Sequence, residues 1–415
     1  MTKRVRLPHV NCNLSWDCRH GLIPYQLFGV SLFLCYVFLP LVAVGVENGT
    51  ATFHFQRAAT LAKQQKVDDA IEEYRLGLHL APNSPDAQNN LGVLYFQKQN
   101  LQAAIAAFGQ ASSLQPGNAE FRFNLGLALY KAGECKRAIP NLEVGVSSRE
   151  HAADAHYLLG ACFYELKQLP SAVEELQTAR KTRPDSPEVL FLLVNAYRDL
   201  DEPQKSLAAA AELLQQHPQS PFVHLLLGEA HDSVEQSTKA EQEFKSAIAA
   251  APQAPLLHFA LGYLYWRWKR YDEAVSPLRA ELKINPQCAS CYAYLGDIAL
   301  RNRNTSEALK NFENALRLDS SQSEACLGIG QVYVKMGKPD QAITYFRRAA
   351  ELMPDQVEPH YRLGKTLIQI GRKEEGEKEL NIVNQINAAE RRRASEELKS
   401  ATSAGDRTDS PRGPL

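Results

Sequence analysis

The sequence predicts an all-α chain of about ten consecutive helix-turn-helix units, each 34 residues long. Small residues and prolines recur with this period and stay in phase. Glycine recurs at one position: Gly92, Gly126, Gly160, Gly228, Gly262, Gly296, Gly330 and Gly364. Alanine recurs at a second: Ala70, Ala104, Ala138, Ala172, Ala240, Ala274, Ala308 and Ala342. Proline recurs at a third: Pro82, Pro116, Pro184, Pro218, Pro252, Pro286 and Pro354. No stretch alternates apolar and polar residues over a strand length, so we expect no strands.

The segment 85–118 shows how one unit is built. Residues at helical spacing mark one face of each of two helices: Leu91, Gly92, Tyr95, Ala104, Phe108 and Ala111. The polar residues 98–100 lie between them, where we expect the chain to reverse. Gly92 and Ala104 are small because the two helices cross closely there. Pro116 lacks an amide hydrogen and disfavours helix in the residue before it, so it ends the second helix.

This pattern resembles the tetratricopeptide repeat family, which carries Leu-Gly, Tyr, Ala, Phe, Ala and Pro at these positions. The resemblance covers residues 51 to about 390, and the units begin at residues 51, 85, 119, 153, 187, 221, 255, 289, 323 and 357. It implies a right-handed α-solenoid, a superhelix whose first helices line an inner groove. The third unit departs from the pattern, because Glu150 replaces the proline and Pro140 falls within the second helix. We expect Pro140 to start or kink that helix.

The two ends of the chain differ from the repeats. Basic residues between Lys3 and Arg19 precede an apolar run from Leu27 to Val46, which ends in small residues at the spacing that a signal peptidase reads. Residues 1–46 therefore fit a cleaved secretory signal or an uncleaved membrane anchor, and we favour the cleaved signal. Either places the repeats in a periplasm, cell envelope or lumen. Residues 391–415 read as a charged helix extension that becomes disordered after Ser400.

Composition and motifs indicate the class of function. The chain has 46 Lys+Arg against 47 Asp+Glu, so no global field attracts nucleic acid or an anionic membrane. Phosphate-binding loops, nucleophile elbows and zinc-protease helices are missing from the sequence. No segment outside the repeats is long enough for a catalytic domain. We therefore predict a non-enzymatic interaction scaffold without a cofactor, whose partner is another protein or an extended peptide. The membrane is contacted only through the N-terminal segment.

The resemblance implies that positions 2, 5, 6, 9, 12 and 13 of each unit face the groove. Position 2 holds no cation in any unit, which excludes a clamp for a terminal carboxylate. Asn90 and Asn124 occupy position 6 of successive units and could be two rungs that hold a peptide backbone. They could equally be solvated surface residues. The rungs are the only support for an alternative function, a substrate-presenting accessory subunit of a glycosyltransferase, secretion or envelope-assembly complex.

Aromatic residues continue this face of the repeats. Position 12 holds Phe96, Tyr130, Tyr164 and Trp266, and position 9 holds Tyr263. If these side chains face solvent, they form an elongated apolar patch of the kind that binds partners. The alternative is that they are ordinary inter-repeat core.

Histidines and cysteines supply two further expectations. Position 4 holds His54, His156, His224, His258 and His360. We interpret these side chains as aromatic rings that pack within the repeats rather than as metal ligands, since no carboxylate or thiol accompanies them at metal-ligand spacing. Cys288 and Cys291 form a C-x-x-C motif. A disulfide could join Cys288 to Cys291, or Cys291 to Cys326, or all three could be buried thiols. Cys135 and Cys162, in adjacent units, are also close enough to consider.

Overall fold

A computed structural model describes residues 49–405, which form helices in consecutive pairs and contain no strand. The all-α prediction is therefore confirmed for this range. The predicted export segment, residues 1–46, lies outside it. The helices are α1 Ala51–Lys63, α2 Val67–Leu80, α3 Pro85–Gln97, α4 Leu101–Leu114, α5 Ala119–Lys131, α6 Cys135–Gly145, α7 Ala152–Glu165, α8 Leu169–Thr182, α9 Pro187–Asp199, α10 Pro203–Gln216, α11 Pro221–Ser233, α12 Ser237–Ala250, α13 Leu257–Arg267, α14 Tyr271–Ile284, α15 Ala289–Arg301, α16 Thr305–Leu318, α17 Ser323–Lys335, α18 Pro339–Leu352, α19 Val357–Gln369 and α20 Lys373–Gly405.

These residues form two compact units that divide between Glu243 and Phe244, inside α12. The first unit contains α1 to α11 and the second contains α13 to α20. Within each unit the two helices of a pair pack together, and the second helix also packs on the first helix of the next pair. Examples are α3, α4 and α5 in the first unit and α15, α16 and α17 in the second.

The turn inside each pair has the same backbone conformation in all ten repeats. Position 15 has a positive φ, as at Gln99, where φ is 58°. Glycine supplies this conformation in three repeats, at Gly133, Gly337 and Gly371, and other residue types supply it in the remaining seven. The Asn100 amide then donates to the Tyr95 carbonyl at 2.9 Å, which closes the turn that the polar residues 98–100 predicted.

The recurrent glycine at position 8 is where the two helices of a pair meet. A Cβ added at Gly92 would lie 2.6 Å from Cδ1 of Phe108, on the second helix of the same pair. A Cβ added at Gly126 would lie 2.7 Å from the side chain of Leu142, and one added at Gly330 would lie 2.4 Å from the ring of Phe346. Real Cβ atoms do not approach this closely, so the predicted reason for the glycine is confirmed.

Two predictions about helix ends need correction. α6 begins at Cys135 and contains Pro140, so the expectation that Pro140 starts the helix is wrong, and the alternative of a kink stays a prediction. The ring of Pro140 removes only one backbone hydrogen bond from a short helix. α20 runs to Gly405, so the prediction of disorder after Ser400 is wrong for residues 401–405, because a helix once formed propagates readily through alanine-containing sequence. Among residues 49–405, no helix has the length and apolar composition needed to cross a membrane.

Candidate protein-binding surface

We define the first-helix face as the side chains at positions 5, 6, 9, 12 and 13 of the first helices, and describe it separately for the two compact units. In the first unit, the two asparagines predicted to be rungs are both engaged within the repeats. Asn124 Nδ2 donates to Asn89 Oδ1 at 2.9 Å, and both residues are buried. Asn90 is partly buried and interacts with the hydroxyl of Tyr74, on α2. Burial raises the pKa of Tyr74 to about 12, although Asn90 opposes this. The prediction that Asn124 is an open peptide rung is therefore wrong.

The aromatic residues at position 12 of the first unit differ in exposure. Tyr130 is buried in the inter-repeat core, so it does not present a surface to a partner. Phe96 and Tyr164 are partly buried and pack against the same core. Tyr164 Oη donates to Asp199 Oδ2 at 3.2 Å, which links the fourth and fifth repeats. The core interpretation therefore applies to Tyr130, and Phe96 and Tyr164 lie at the edge of the core.

Charged residues that the sequence reasoning did not single out continue this face. Arg198 Nη1 donates to Glu229 Oε2 at 3.0 Å, which joins position 12 of the fifth repeat to position 9 of the sixth. Burial lowers the pKa of Arg198, but the charges of Glu229, Tyr164 and Asp199 outweigh burial and raise it overall. Burial raises the pKa of Glu229, against the attraction of Arg198. An Arg at position 12 followed by a Glu at position 9 was the sequence signal for this link.

In the second unit, an aromatic cluster occupies the same face. Tyr263 is 1% exposed, and its ring centroid lies 5.4 Å from that of Tyr294 and 6.0 Å from that of Trp266. Burial raises the pKa of Tyr294 well above its ordinary value. Tyr263 is therefore core, and the prediction that it contacts a partner is wrong. Trp266 is partly buried at the edge of this cluster, and its Nε1 donates to Asp297 Oδ2 at 2.7 Å.

The most exposed apolar part of the first-helix face lies near the C-terminus. Val334 on α17 is 39% exposed, and Tyr361 and Ile368 on α19 are 45% and 38% exposed. Tyr361 and Ile368 are seven residues apart and share one face of α19, with the exposed Lys365 between them. Val334 occupies, on the preceding first helix, the position that Ile368 occupies on α19. We call Val334, Tyr361, Lys365 and Ile368 the C-terminal strip.

Sequence reasoning missed the C-terminal strip because it favoured the larger aromatic residues in the middle of the chain. A signal was present. Positions 5 and 12 of the tenth repeat hold Tyr361 and Ile368, and within residues 49–405 no further first helix follows α19 to cover them. The last repeat of the described range differs in this way from the internal repeats before it, whose two flanks are both packed.

The cysteines at the seventh and eighth repeats form one disulfide. Cys288 and Cys291 are bonded, with their Cα atoms 5.3 Å apart, and both are buried. Cys288 is the N-cap residue of α15, and its Sγ accepts a hydrogen bond from the Cys291 amide at 3.2 Å. Cys326 is a buried free thiol, and burial raises its pKa. The alternative pairing of Cys291 with Cys326 is therefore not the one in the structure.

Four of the five histidines at position 4 have carboxylate partners, contrary to the sequence expectation. In four repeats Nδ1 lies 2.6 to 2.7 Å from a glutamate Oε2 at position 23, on the second helix of the same pair. The pairs are His54–Glu73, His156–Glu175, His224–Glu243 and His360–Glu379. The fifth histidine, His258, has no such partner at position 23 of its repeat, because Pro277 occupies that position. Each pair supplies only two residues of the types that bind metals, and no group of three such residues occurs among residues 49–405.

Comparison with known proteins identifies the repeat. Models described as TPR repeat or tetratricopeptide repeat match residues 58–99 and 92–133, then four overlapping segments from 123 to 288, and finally 299–345 and 334–397. A search of curated proteins returned no match.

Several solved structures are similar to the chain. The Cut9–Hcn1 hetero-tetramer of APC/C is 13% identical over 81% of this chain and 87% of that one, with a TM-score of 0.41. MamA is 19% identical over 40% of this chain and 97% of that one, with a TM-score of 0.35. YrrB, described as a TPR protein with an unusual peptide-binding site, is 18% identical over 43% of this chain and 92% of that one, with a TM-score of 0.35.

The family models together reach across most of the described helices, and their boundaries follow the helix pairs. The glycine, alanine and proline positions that carried the resemblance also occupy the crossing and turn sites expected of them. The chain belongs to the tetratricopeptide repeat family.

Proposed function

We propose that this protein is an interaction scaffold that binds an extended segment of a partner protein on the first-helix face of its C-terminal repeats. Tetratricopeptide repeats serve as protein–protein interaction scaffolds, which supports the general assignment. The observation that carries the finer proposal is the C-terminal strip. It exposes three large apolar side chains on successive first helices, whereas Tyr130 and Tyr263, at comparable positions, are buried.

The charges around the strip indicate the chemistry of the partner. Lys365 and Lys335 are exposed beside the apolar side chains, while Arg362 is paired with Glu358. A partner segment that places apolar side chains on Val334 and Ile368 could therefore direct a carboxylate towards Lys365. The balanced charge of the whole chain supports a protein rather than a nucleic acid as the partner.

The experiment selects peptides from a displayed random library on the full chain and measures their affinities for variants. The variant Ile368→Asp should weaken selected peptides by about tenfold or more, since a buried aliphatic side chain contributes about 1.5 kcal/mol or more. Leu352→Asp is the matched control, because Leu352 is 39% exposed but lies on α18, a second helix. Selection of no peptide, or equal loss in both variants, would contradict the proposal.

We further propose that the repeats are exported or tethered to a membrane, with a cleaved signal favoured over an anchor. The apolar run Leu27–Val46 and its basic lead support this location. The Cys288–Cys291 disulfide also supports it, because disulfides persist in oxidising compartments. N-terminal sequencing of the mature chain distinguishes the cases: a start near residue 46 indicates a cleaved signal, and a start at residue 1 with protease-accessible repeats indicates an anchor. Repeats that remain in the compartment of synthesis would refute both.

The alternative function, a substrate-presenting accessory subunit, depended on Asn90 and Asn124. Asn124 is buried against Asn89, and Asn90 interacts with Tyr74 of the preceding repeat. The two amides are thus used to hold repeats together, and no remaining observation favours that alternative over the general scaffold.

A further inference from the structure

Two thiols meet at the junction of the third and fourth repeats. Cys135 is the first residue of α6, and Cys162 lies on α7, the next helix. Both are buried free thiols, 3% and 0% exposed, and both belong to the same core cluster. Nothing in the proposed scaffold function uses them.

The contacts bring the two cysteines together between α6 and α7. Cys135 Sγ donates to Glu165 Oε2 at 3.2 Å, and Glu165 is one helical turn after Cys162 on α7. The largest influence on the Cys162 thiol is its interaction with the Cys135 thiol. This interaction and burial together raise the pKa of Cys162, so in the packed state the thiolate, which is the reactive form, is scarce.

We propose that Cys135 and Cys162 are the site of a second disulfide, which joins the third repeat covalently to the fourth. The oxidant is a small or protein-borne disulfide such as glutathione disulfide. Cys135 attacks one of its sulfurs and releases one glutathione thiolate, which takes the proton of the Cys135 thiol. Cys162 then attacks the Cys135 sulfur of the mixed disulfide and releases the second glutathione, so two protons and two electrons leave the pair. Because both thiols are buried, the first exchange takes place while the junction is open.

The junction between the third and fourth repeats lacks features that end and orient the helices elsewhere, so a covalent link there would stabilise it. Glu150 stands where most repeats carry the turn proline, and α6 already ends at Gly145. The bridge would close the chain between residues 135 and 162 and so reduce the conformational freedom of the unfolded state. We therefore expect the oxidised protein to unfold at a higher denaturant concentration than the reduced protein.

The test uses the purified full chain, equilibrated in glutathione buffers of increasing oxidising strength and digested with trypsin without reduction. A bridge joins peptide 132–136 to peptide 150–167, and mass spectrometry detects the pair. The Cys288–Cys291 disulfide in the same sample is the internal standard for complete oxidation. If the linked pair is missing when that standard is fully oxidised, or if Cys135 or Cys162 pairs with Cys326 instead, the proposal is wrong.

Matched variants give the second readout. Oxidation should raise the unfolding midpoint of the wild type and of Cys326→Ser, which removes a buried thiol elsewhere. The part of the shift that depends on the bridge should vanish in Cys135→Ser. An equal shift in all three proteins would overturn the proposal, because the shift would then come from Cys288–Cys291 alone. If Cys135→Ser does not fold, peptide mapping of the wild type still decides the outcome.

Discussion

The carboxylate of Glu281 accepts hydrogen bonds from the backbone N–H groups of Leu256, at 2.8 Å, and Phe259, at 3.2 Å. Leu256 is the N-cap residue of α13, with a left-handed φ of 75° and no side-chain group to cap the helix. The first N–H groups of a helix have no partner within it, so Glu281 supplies one from α14. Glu281 is fully buried.

The first prediction follows from this cap. Glu281→Ala would leave two N–H groups at the start of α13 without an acceptor, which should lower the free energy of unfolding by about 2–3 kcal/mol. Denaturant unfolding of the full chain measures the loss, and hydrogen exchange should show faster exchange at Leu256 and Phe259. The control is Glu273→Ala on the same helix, because Glu273 is exposed and its ion pair with Arg270 lies at the surface. A loss as small as that of the control would argue against the cap.

Glu281 also shows what the sequence pattern could not predict. The same position in most other repeats holds small residues, such as Gly77, Ala111 and Ala315, so the repeat pattern names no partner for a glutamate there. The hairpins were predictable because helix periodicity and turn residues are local features of each 34-residue unit. The cap was not, because its need arises from the backbone conformation of Leu256, which the sequence does not display.

The candidate surface was also predictable only in part from the sequence. Position numbers placed Tyr263 and Ile368 on the first-helix face, but exposure depends on what the neighbouring helices carry. Tyr263 is covered by aromatic neighbours, whereas Ile368 remains exposed. The His–Glu pairs were within reach of sequence reasoning, since four of the five histidines at position 4 have a glutamate 19 residues later.

The second prediction concerns one of those pairs. His224 Nδ1 lies 2.7 Å from Glu243 Oε2, and His224 Nε2 donates to the Pro218 carbonyl at 3.0 Å. Because the pair is largely buried, a double-mutant cycle with His224→Ala and Glu243→Ala should give a coupling free energy of about 1 kcal/mol. Unfolding of the full chain in denaturant measures the four proteins.

The seventh repeat provides the control for this cycle. His258 Nε2 donates to the Pro252 carbonyl at 3.1 Å, as His224 does to Pro218, but Pro277 replaces the glutamate. His258→Ala should therefore cost less than His224→Ala by roughly the coupling free energy, about 1 kcal/mol. The carboxylate contact would not stabilise the repeat if the two histidine mutations lowered the free energy of unfolding equally and the two mutations of the cycle had additive effects.

The third prediction compares two glycines of the second repeat. Gly92→Ala would place a methyl group 2.6 Å from the buried ring of Phe108, so the two helices must separate, and we expect a loss of about 1–3 kcal/mol. Gly109 lies inside α4 with no atom within 4 Å of an added Cβ. Gly109→Ala should therefore stabilise the protein by about 0.5–1 kcal/mol through helix propensity. Thermal and denaturant unfolding measure both changes, and effects of the same sign would contradict the close-crossing explanation.

The fourth prediction is a pH dependence of stability that arises at His151. This side chain is the N-cap residue of α7, is buried, and stacks on Phe123 with ring centroids 4.3 Å apart. Burial lowers the pKa of His151, and the nearby Asp154 and Glu150 only partly oppose it. The folded state therefore favours the neutral ring more than the unfolded state does. The resulting stability is present above about pH 6.5, the ordinary histidine value, and is lost as the pH falls through the lower folded-state pKa.

His151→Phe isolates this contribution, because phenylalanine keeps a ring against Phe123 but does not titrate. Between pH 7.5 and pH 5.0 the wild type should lose more unfolding free energy than His151→Phe, while the four Glu-paired histidines contribute equally to both proteins. Urea unfolding of the full chain at the two pH values measures the difference. A steeper loss in His151→Phe would mean that the folded state prefers protonated His151, and the sign of the argument would be reversed. Equal losses would mean that burial against Phe123 does not disfavour the charged ring.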